Sequence, residues 1–155
     1  RAGKPVLLDT SGEMLAKGIQ ALPTMIKPNK EELSQLLGVS IHSRDQLIMA
    51  ARKLHNMGIQ IVAISLGKEG VIVAGNEGVW QGMTPDIPVV NTVGCGDSMI
   101  AGFAIGISRG YPLEKMILFA TALSTANALS IHTGWFEKTD FEKLLTQVKV
   151  HQLSA

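Results

Sequence analysis

Residues 91–98, Asn91-Thr92-Val93-Gly94-Cys95-Gly96-Asp97-Ser98, put two glycines and a carboxylate immediately ahead of a long apolar run. Glycines on either side of one small residue allow a sharp backbone turn, and a helix starting there exposes consecutive N–H groups at its positive end. Such an end favours bound negative charge. Phosphoryl transfer spreads charge over the oxygens of the moving group, so a preorganised anion hole of this kind stabilises its transition state. Asp97 lies in the same turn, where a general base could take the proton of an attacking hydroxyl. The same residues also suit a plain tight turn with Asp97 as helix N-cap, and spacing does not separate the two readings.

Two further segments have the right chemistry. Ser65-Leu66-Gly67-Lys68-Glu69-Gly70 follows a β-branched run, and glycines at the carboxyl end of a parallel strand leave room for a nucleotide to approach the backbone. It is neither a P-loop, which requires G-x-x-x-x-G-K-S/T, nor a dinucleotide fingerprint, whose third glycine is missing. An ordinary strand connection is the competing reading. In Lys27-Pro28-Asn29-Lys30-Glu31-Glu32, an amide oxygen and a carboxylate stand three residues apart at a helix start. They could organise Mg²⁺ and its waters beside phosphates, or form a capping box; spacing favours the cap.

The elements that position these residues follow from hydrophobic periodicity. Val6-Leu7-Leu8 predicts a buried strand. Thr10 and Glu13 have capping-box spacing ahead of a helix from about Gly12 to Gln20. Met25-Ile26-Lys27 predicts a second strand. Asn29 opens a helix that ends at Gly38, and Ser43 opens a longer one through Leu47, Ala50, Ala51, Leu54 and Met57, closed by Gly58. Ile59 to Leu66 predicts a parallel strand buried on both faces. Shorter strands are expected at Val71–Ala74, Gly78–Gly82 and Ile87–Val90. Helices are expected from the glycine turn to about Ser108, from Pro112 as far as Ile131, and from a cap at Thr139 or Asp140. A last strand is expected between Val148 and Leu153. This order predicts an α/β fold with a mainly parallel sheet flanked by helices.

Composition excludes several classes. The chain has 155 residues, 46% hydrophobic and 17% charged, so it has the means to bury a core as one domain rather than stay disordered. A net charge of +1 without like-charged blocks gives no footprint for nucleic acid or an acidic membrane. The single cysteine, Cys95, forms no internal disulfide and fits a cytoplasmic setting. His42, His55, His132 and His151 lack metal-ligand spacing; Trp80 and Trp135 read as packing residues. Lys27 and Lys68 read as solvated, and Asp9 as the cap of the following helix or a residue at the ligand edge of the sheet. The chain opens on Arg1 without an initiator Met and enters almost at once into an apolar run, which leads us to expect a chain whose beginning has been removed.

In combination and in this order, the three motifs resemble the C-terminal half of the ribokinase-like (PfkB) carbohydrate kinases. Asn91 to Ser98 resembles the family's D-T-x-G-A-G-D signature, with Asn91 for its leading Asp and Cys95 for its Ala. The Asn form, together with Leu8-Asp9-Thr10-Ser11-Gly12 and the K-P-N-x-x-E-L segment, resembles the hexose-phosphate branch, which contains tagatose-6-phosphate kinase and 1-phosphofructokinase. The resemblance implies Asp97 as catalytic base and Gly94, Cys95 and Gly96 as an anion hole acting through backbone N–H groups, with the Cys95 side chain a bystander. It implies Ser65, Gly67 and Gly70 as lining of the ATP site, Asn127 in the helix bordering the adenine, and Asn29 and Glu32 as the motif associated with Mg²⁺. The implied reaction is ATP-dependent phosphorylation of tagatose 6-phosphate or fructose 1-phosphate, the closing stretch from Thr133 leaning towards tagatose 6-phosphate. The family's N-terminal half, with its sugar contacts and the lid that forms the usual homodimer surface, is then absent, and the chain alone would transfer phosphate poorly. A non-catalytic nucleotide-binding module of the same fold is the alternative.

Overall fold

In the computed structural model, residues 3–154 are described. They divide into two compact units. The first comprises residues up to Gly67, Val71–Trp80 and the stretch from Gln152. Strand β1 (Leu7–Leu8), helix α1 (Gly12–Gly18), strand β2 (Met25–Ile26), helices α2 (Lys30–Leu37) and α3 (Arg44–Asn56), and strand β3 (Ile61–Ser65) alternate along it. Strands β4 (Val71–Gly75), β5 (Gly78–Met83) and β6 (Lys149–Ser154) complete one sheet in the order β1–β2–β3–β4–β5–β6, β5 and β6 each lying partly in this unit.

The sheet is mixed. β1 pairs parallel with β2, aligning Leu7 with Met25, and β2 pairs parallel with β3, aligning Met25 with Ile61. β4 then returns antiparallel on β3, with Val62 opposite Ala74. The expected parallel strand is thus parallel on one side only, because β4 follows it through a short turn that allows a hairpin but no crossover. Its residues Ile61–Ile64 are buried, as a β-branched run between two neighbours requires. Leu15 of α1, Leu33 of α2 and Ala50, Ala51 and Leu54 of α3 pack with Ile26, Val62, Ile64 and Ile72 into one core.

Helix ends in this unit follow local chemistry. Asn29 and Ser43 each close a full capping box, with Glu32 and Gln46. The box expected at Thr10 does not form: Ser11 is the N-cap of α1, without a side-chain bond, and Glu13 instead pairs with Lys17 one turn on at 2.7 Å. An i,i+4 ion pair holds that glutamate away from the helix start.

The second unit, Lys68–Gly70 and Gln81–His151, is mainly helical, with α4 (Cys95–Ser108), α5 (Leu113–Ala128) and α6 (Lys138–Gln147). Ala122 and Ala126 of α5 meet Leu144 of α6 and Val148 in its core, with Phe136 and Phe141 packed against them. The strand expected at 87–90 is absent. Pro88 has no N–H for a ladder, and the amides of Val90 and Asn91 both donate to the carbonyl of Ala128, at 2.8 and 3.2 Å. Those bonds use a carbonyl at the end of α5, so the helix stops there and not at Ile131. Helix α6 begins at Lys138 after Glu137, ahead of the expected caps; Asp140 falls in its first turn, where a carboxylate suits the dipole.

Candidate active site

The first unit gathers polar side chains at the carboxyl ends of its parallel strands. This edge of an open α/β sheet is where ligands bind. The amide of Ser65, the last residue of β3, donates to Pro28 O at 3.0 Å, and Ser65 forms a parallel bridge with Asn29. Asn29 Oδ1 accepts from the Glu32 amide at 2.8 Å, and Glu32 Oε2 accepts from the Asn29 amide at 2.9 Å. The capping arrangement therefore forms. Beside it, Lys27 is 7% exposed and its Nζ lies 3.2 Å from Asp9 Oδ2. Lys27 is thus not solvated and Asp9 does not cap α1; the two form an ion pair, because a buried ammonium requires a partner. Asp9, Lys27, Asn29, Glu32 and Ser65 are brought to one edge, and Gly67 follows, exposed, at a positive φ of 59°.

One carboxylate and one amide oxygen do not enclose a cation, and no cluster of three or more His, Cys, Asp or Glu suited to a metal occurs among the described residues. That donor set fits a Mg²⁺ carried on substrate phosphates, which keeps most of its waters and takes one or two protein oxygens.

In the second unit, Gly70 has φ +91°, and a side chain there would run into the backbone carbonyl of Gly82. The backbone of the same segment is tied by Thr84 Oγ1, which donates to Lys68 O, and by Gln81 Nε2, which donates to Glu69 O at 3.4 Å.

The Gly94 turn is built by more residues than its own. Gly94 is the N-cap of α4 with φ 83°, and a Cβ there would lie 2.7 Å from Thr133 Cγ2. No side chain caps the helix, so the reading of Asp97 as N-cap is not realised: Asp97 sits in the first turn, exposed, and no hydrogen-bonding or ionic partner of its carboxylate occurs among the described residues. The Cys95 amide donates to Thr92 O at 3.3 Å, whereas the amides of Gly96 and Asp97 have no acceptor among the described residues. Asn127, fully buried, donates from Nδ2 to Val93 O at 2.9 Å and to Cys95 Sγ at 3.3 Å, while its Oδ1 accepts from Gly134 N at 2.7 Å. Ser124 Oγ donates to Cys95 O at 2.9 Å. The Cys95 thiol, also 3.8 Å from Asn91 O, is part of this network. Chemically, the turn offers two free N–H groups and a free carboxylate within one helical turn.

The model of the pfkB family carbohydrate kinases matches residues 1–138. The chain belongs to this family. Among curated relatives, the pfkB chain is 36% identical to 1-phosphofructokinase of Bacillus subtilis over 148 residues, which is 96% of this chain and 48% of that protein. Among solved structures it resembles phosphofructokinase-2 from Escherichia coli, with TM-score 0.86 and 29% identity over 91% of this chain and 46% of the other. It also resembles the ribokinase of Arabidopsis thaliana solved with ribose and ATP, with TM-score 0.80 and 28% identity over 93% of this chain and 48% of the other. The fold is ribokinase-like, as expected. The pfkB chain spans about half the length of the curated relatives it matches. No described helix is long and apolar enough to cross a membrane.

Sequence reasoning found the turn and its aspartate but not what holds them. Ser124, Thr133 and Gly134 are partners distant in sequence, without a motif of their own. The signal available for Asn91 was its departure from the family's leading aspartate.

Proposed function

We propose that the chain carries the nucleotide-handling and catalytic part of an ATP-dependent sugar-phosphate kinase. The observation that carries this reading is the first turn of α4, where the unpaired Asp97 carboxylate stands in the same turn as the free amides of Gly96 and Asp97. Asp97 takes the proton of a sugar hydroxyl. The hydroxyl oxygen bonds to the γ-phosphorus of ATP, the bond from that phosphorus to the bridging oxygen breaks, and ADP leaves with the electron pair. The free amides of Gly96 and Asp97 hold the oxygens of the moving group, the Cys95 amide being taken by Thr92 O. Ser65, Gly67 and Gly70 line the nucleotide. Asn29 and Glu32 would hold waters of Mg²⁺, which when bound would offset phosphate charge.

The acceptor in this reading is a ketohexose phosphate. Relatives named 1-phosphofructokinase support fructose 1-phosphate, against the lean towards tagatose 6-phosphate drawn from the closing stretch. The free thiol of Cys95 supports a cytoplasmic setting. The second reading is a module of the same fold that binds ATP without turnover.

The test measures ADP release from ATP and Mg²⁺ with fructose 1-phosphate, fructose 6-phosphate and tagatose 6-phosphate offered separately. The chain is assayed alone and joined to the part of a relative that it does not cover. Sugar-dependent release is expected in the joined form, and Asp97→Asn should lower turnover by roughly a hundredfold or more. Activity that survives Asp97→Asn removes the base assignment. ATP binding without turnover in either form selects the module.

A further inference from the structure

Asn127 belongs to helix α5, and the family resemblance puts that helix beside the adenine. Its side chain is sealed from solvent, and both ends of its amide are engaged within the protein. The donor end serves Val93 O and Cys95 Sγ, on the turn. The acceptor end serves Gly134 N, in the loop that follows α5. Asn91 makes a second tie between the same two segments: its Oδ1 accepts from Val93 N at 2.9 Å, and its Nδ2 lies 3.4 Å from both Ile131 O and Thr133 Oγ1. Gly94 fits beneath Thr133 with no room for a Cβ.

We propose that Asn127, assisted by Asn91, is a positioning residue of the phosphate-binding turn, which ties residues 91–95 to residues 131–134 and so aims the free amides of Gly96 and Asp97, without itself touching the nucleotide. This rests on the reading of that turn as an anion hole. The physical argument is directional. A hydrogen-bond donor stabilises a developing charge only when it already points where the charge appears. A glycine turn has many backbone conformations available to it. Val93 O, fixed by Asn127, and Val93 N, fixed by Asn91, hold the peptide units on both sides of Val93, just before Gly94. A family aspartate at position 91 would keep the acceptor for Val93 N and lose the donors to the 131–134 loop, so the second tie belongs to the asparagine form.

The test uses Asn127→Ser and Asn91→Asp in the full 155-residue chain. Calorimetry compares ATP, inorganic tripolyphosphate and adenosine, and Cys95, the single thiol, is labelled with a neutral alkylating reagent. For Asn127→Ser we expect roughly a tenfold loss of tripolyphosphate affinity, the size of one misdirected hydrogen bond. Adenosine binding should be unchanged, and Cys95 labelling severalfold faster as the loosened turn exposes the part-buried thiol. Lost adenosine binding with tripolyphosphate binding kept overturns the proposal and makes Asn127 a base contact. Unchanged labelling and unchanged tripolyphosphate affinity in a folded variant also overturn it. If Asn127→Ser does not fold, Asn91→Asp decides: weaker tripolyphosphate binding supports the tie, and unchanged binding overturns it. If the parent itself binds no tripolyphosphate, the anion-hole reading fails. The labelling rates then judge the positioning separately, a faster rate supporting it and an unchanged rate overturning it.

Discussion

Asp97 and Lys27 differ in what surrounds them, and that difference sets what each side chain is available to do. Lys27 is buried against the Asp9 carboxylate and its charge is already balanced, whereas Asp97 is exposed and without a partner among the described residues. A base must be free to accept a proton, and Asp97 meets that condition. Beyond α4, Tyr111 shows how neighbours move a titration. Arg109 Nη1 donates to its hydroxyl at 3.1 Å, and Lys115 Nζ lies 3.9 Å from the ring centroid. The hydrogen bond from Arg109 is the main cause that lowers the Tyr111 pKa below the ordinary 10.0; desolvation opposes it, and the charges of Arg109 and Lys115 add to it. The lowered value means that ionised tyrosine favours the folded state. That contribution is complete above the ordinary value and vanishes as the pH falls through the lowered one. Arg109→Ala should raise the midpoint of an ultraviolet difference titration, which follows Tyr111 alone because it is the chain's single tyrosine. An unmoved midpoint would remove Arg109 as the cause. At this scale the sequence made Asp97 and the glycines legible, since their chemistry lies within four residues. Asn127 was legible as a polar residue in an apolar helix but not in its role: its partner Val93 is 34 residues away, and Asn91 meets Thr133 across 42.

Among the elements, α4 and α5 show most directly how small residues set spacing. Gly102 of α4 is buried, and a Cβ there would lie 2.6 Å from the Ala120 Cα of α5. The obstacle is backbone, which cannot rotate aside. Gly102→Ala should therefore destabilise the protein by about 1–3 kcal/mol despite alanine's better helix propensity. Chemical denaturation would measure this, and a stabilised variant would show that the helices separate at little cost. Such a contact has no sequence signature, although the helices themselves do. Asn29, Ser43 and Gly38 mark α2 and α3 closely because caps are local chemistry. Legibility failed where tertiary bonds competed with local pattern. Val90 and Asn91 donate to Ala128 O, which removes one expected strand and shortens α5 by the same act. At α1, the Glu13–Lys17 pair takes the place of a capping box that spacing alone favoured.

For the whole molecule, the α/β order was legible in alternating periodicity, whereas the division into two units, each with its own core, was not. Buried contacts between distant segments create that division, and periodicity does not report them. The half-length match to its relatives bears on function through water. In the proposed reaction the γ-phosphoryl group has two potential acceptors, the sugar hydroxyl and solvent. Closure of a lid over such a site excludes solvent and commits the group to the sugar. If the part of the relatives that this chain does not cover supplies that closure, the rate of ADP release and its ratio to sugar phosphorylated should both change when it is supplied. The 155-residue chain alone should release ADP slowly and with little dependence on sugar. The chain joined to the uncovered part of the Bacillus subtilis relative should release ADP faster, in proportion to sugar phosphorylated. The measurement is ADP formed against sugar bisphosphate formed, in both proteins, with Asp97→Asn in parallel. A rise in coupled product that Asp97→Asn removes assigns the chemistry to this chain and the exclusion of water to its complement. ADP release that is sugar-independent in both forms would mean that the added part does not close over this turn, and would leave the chain as a nucleotide-binding module.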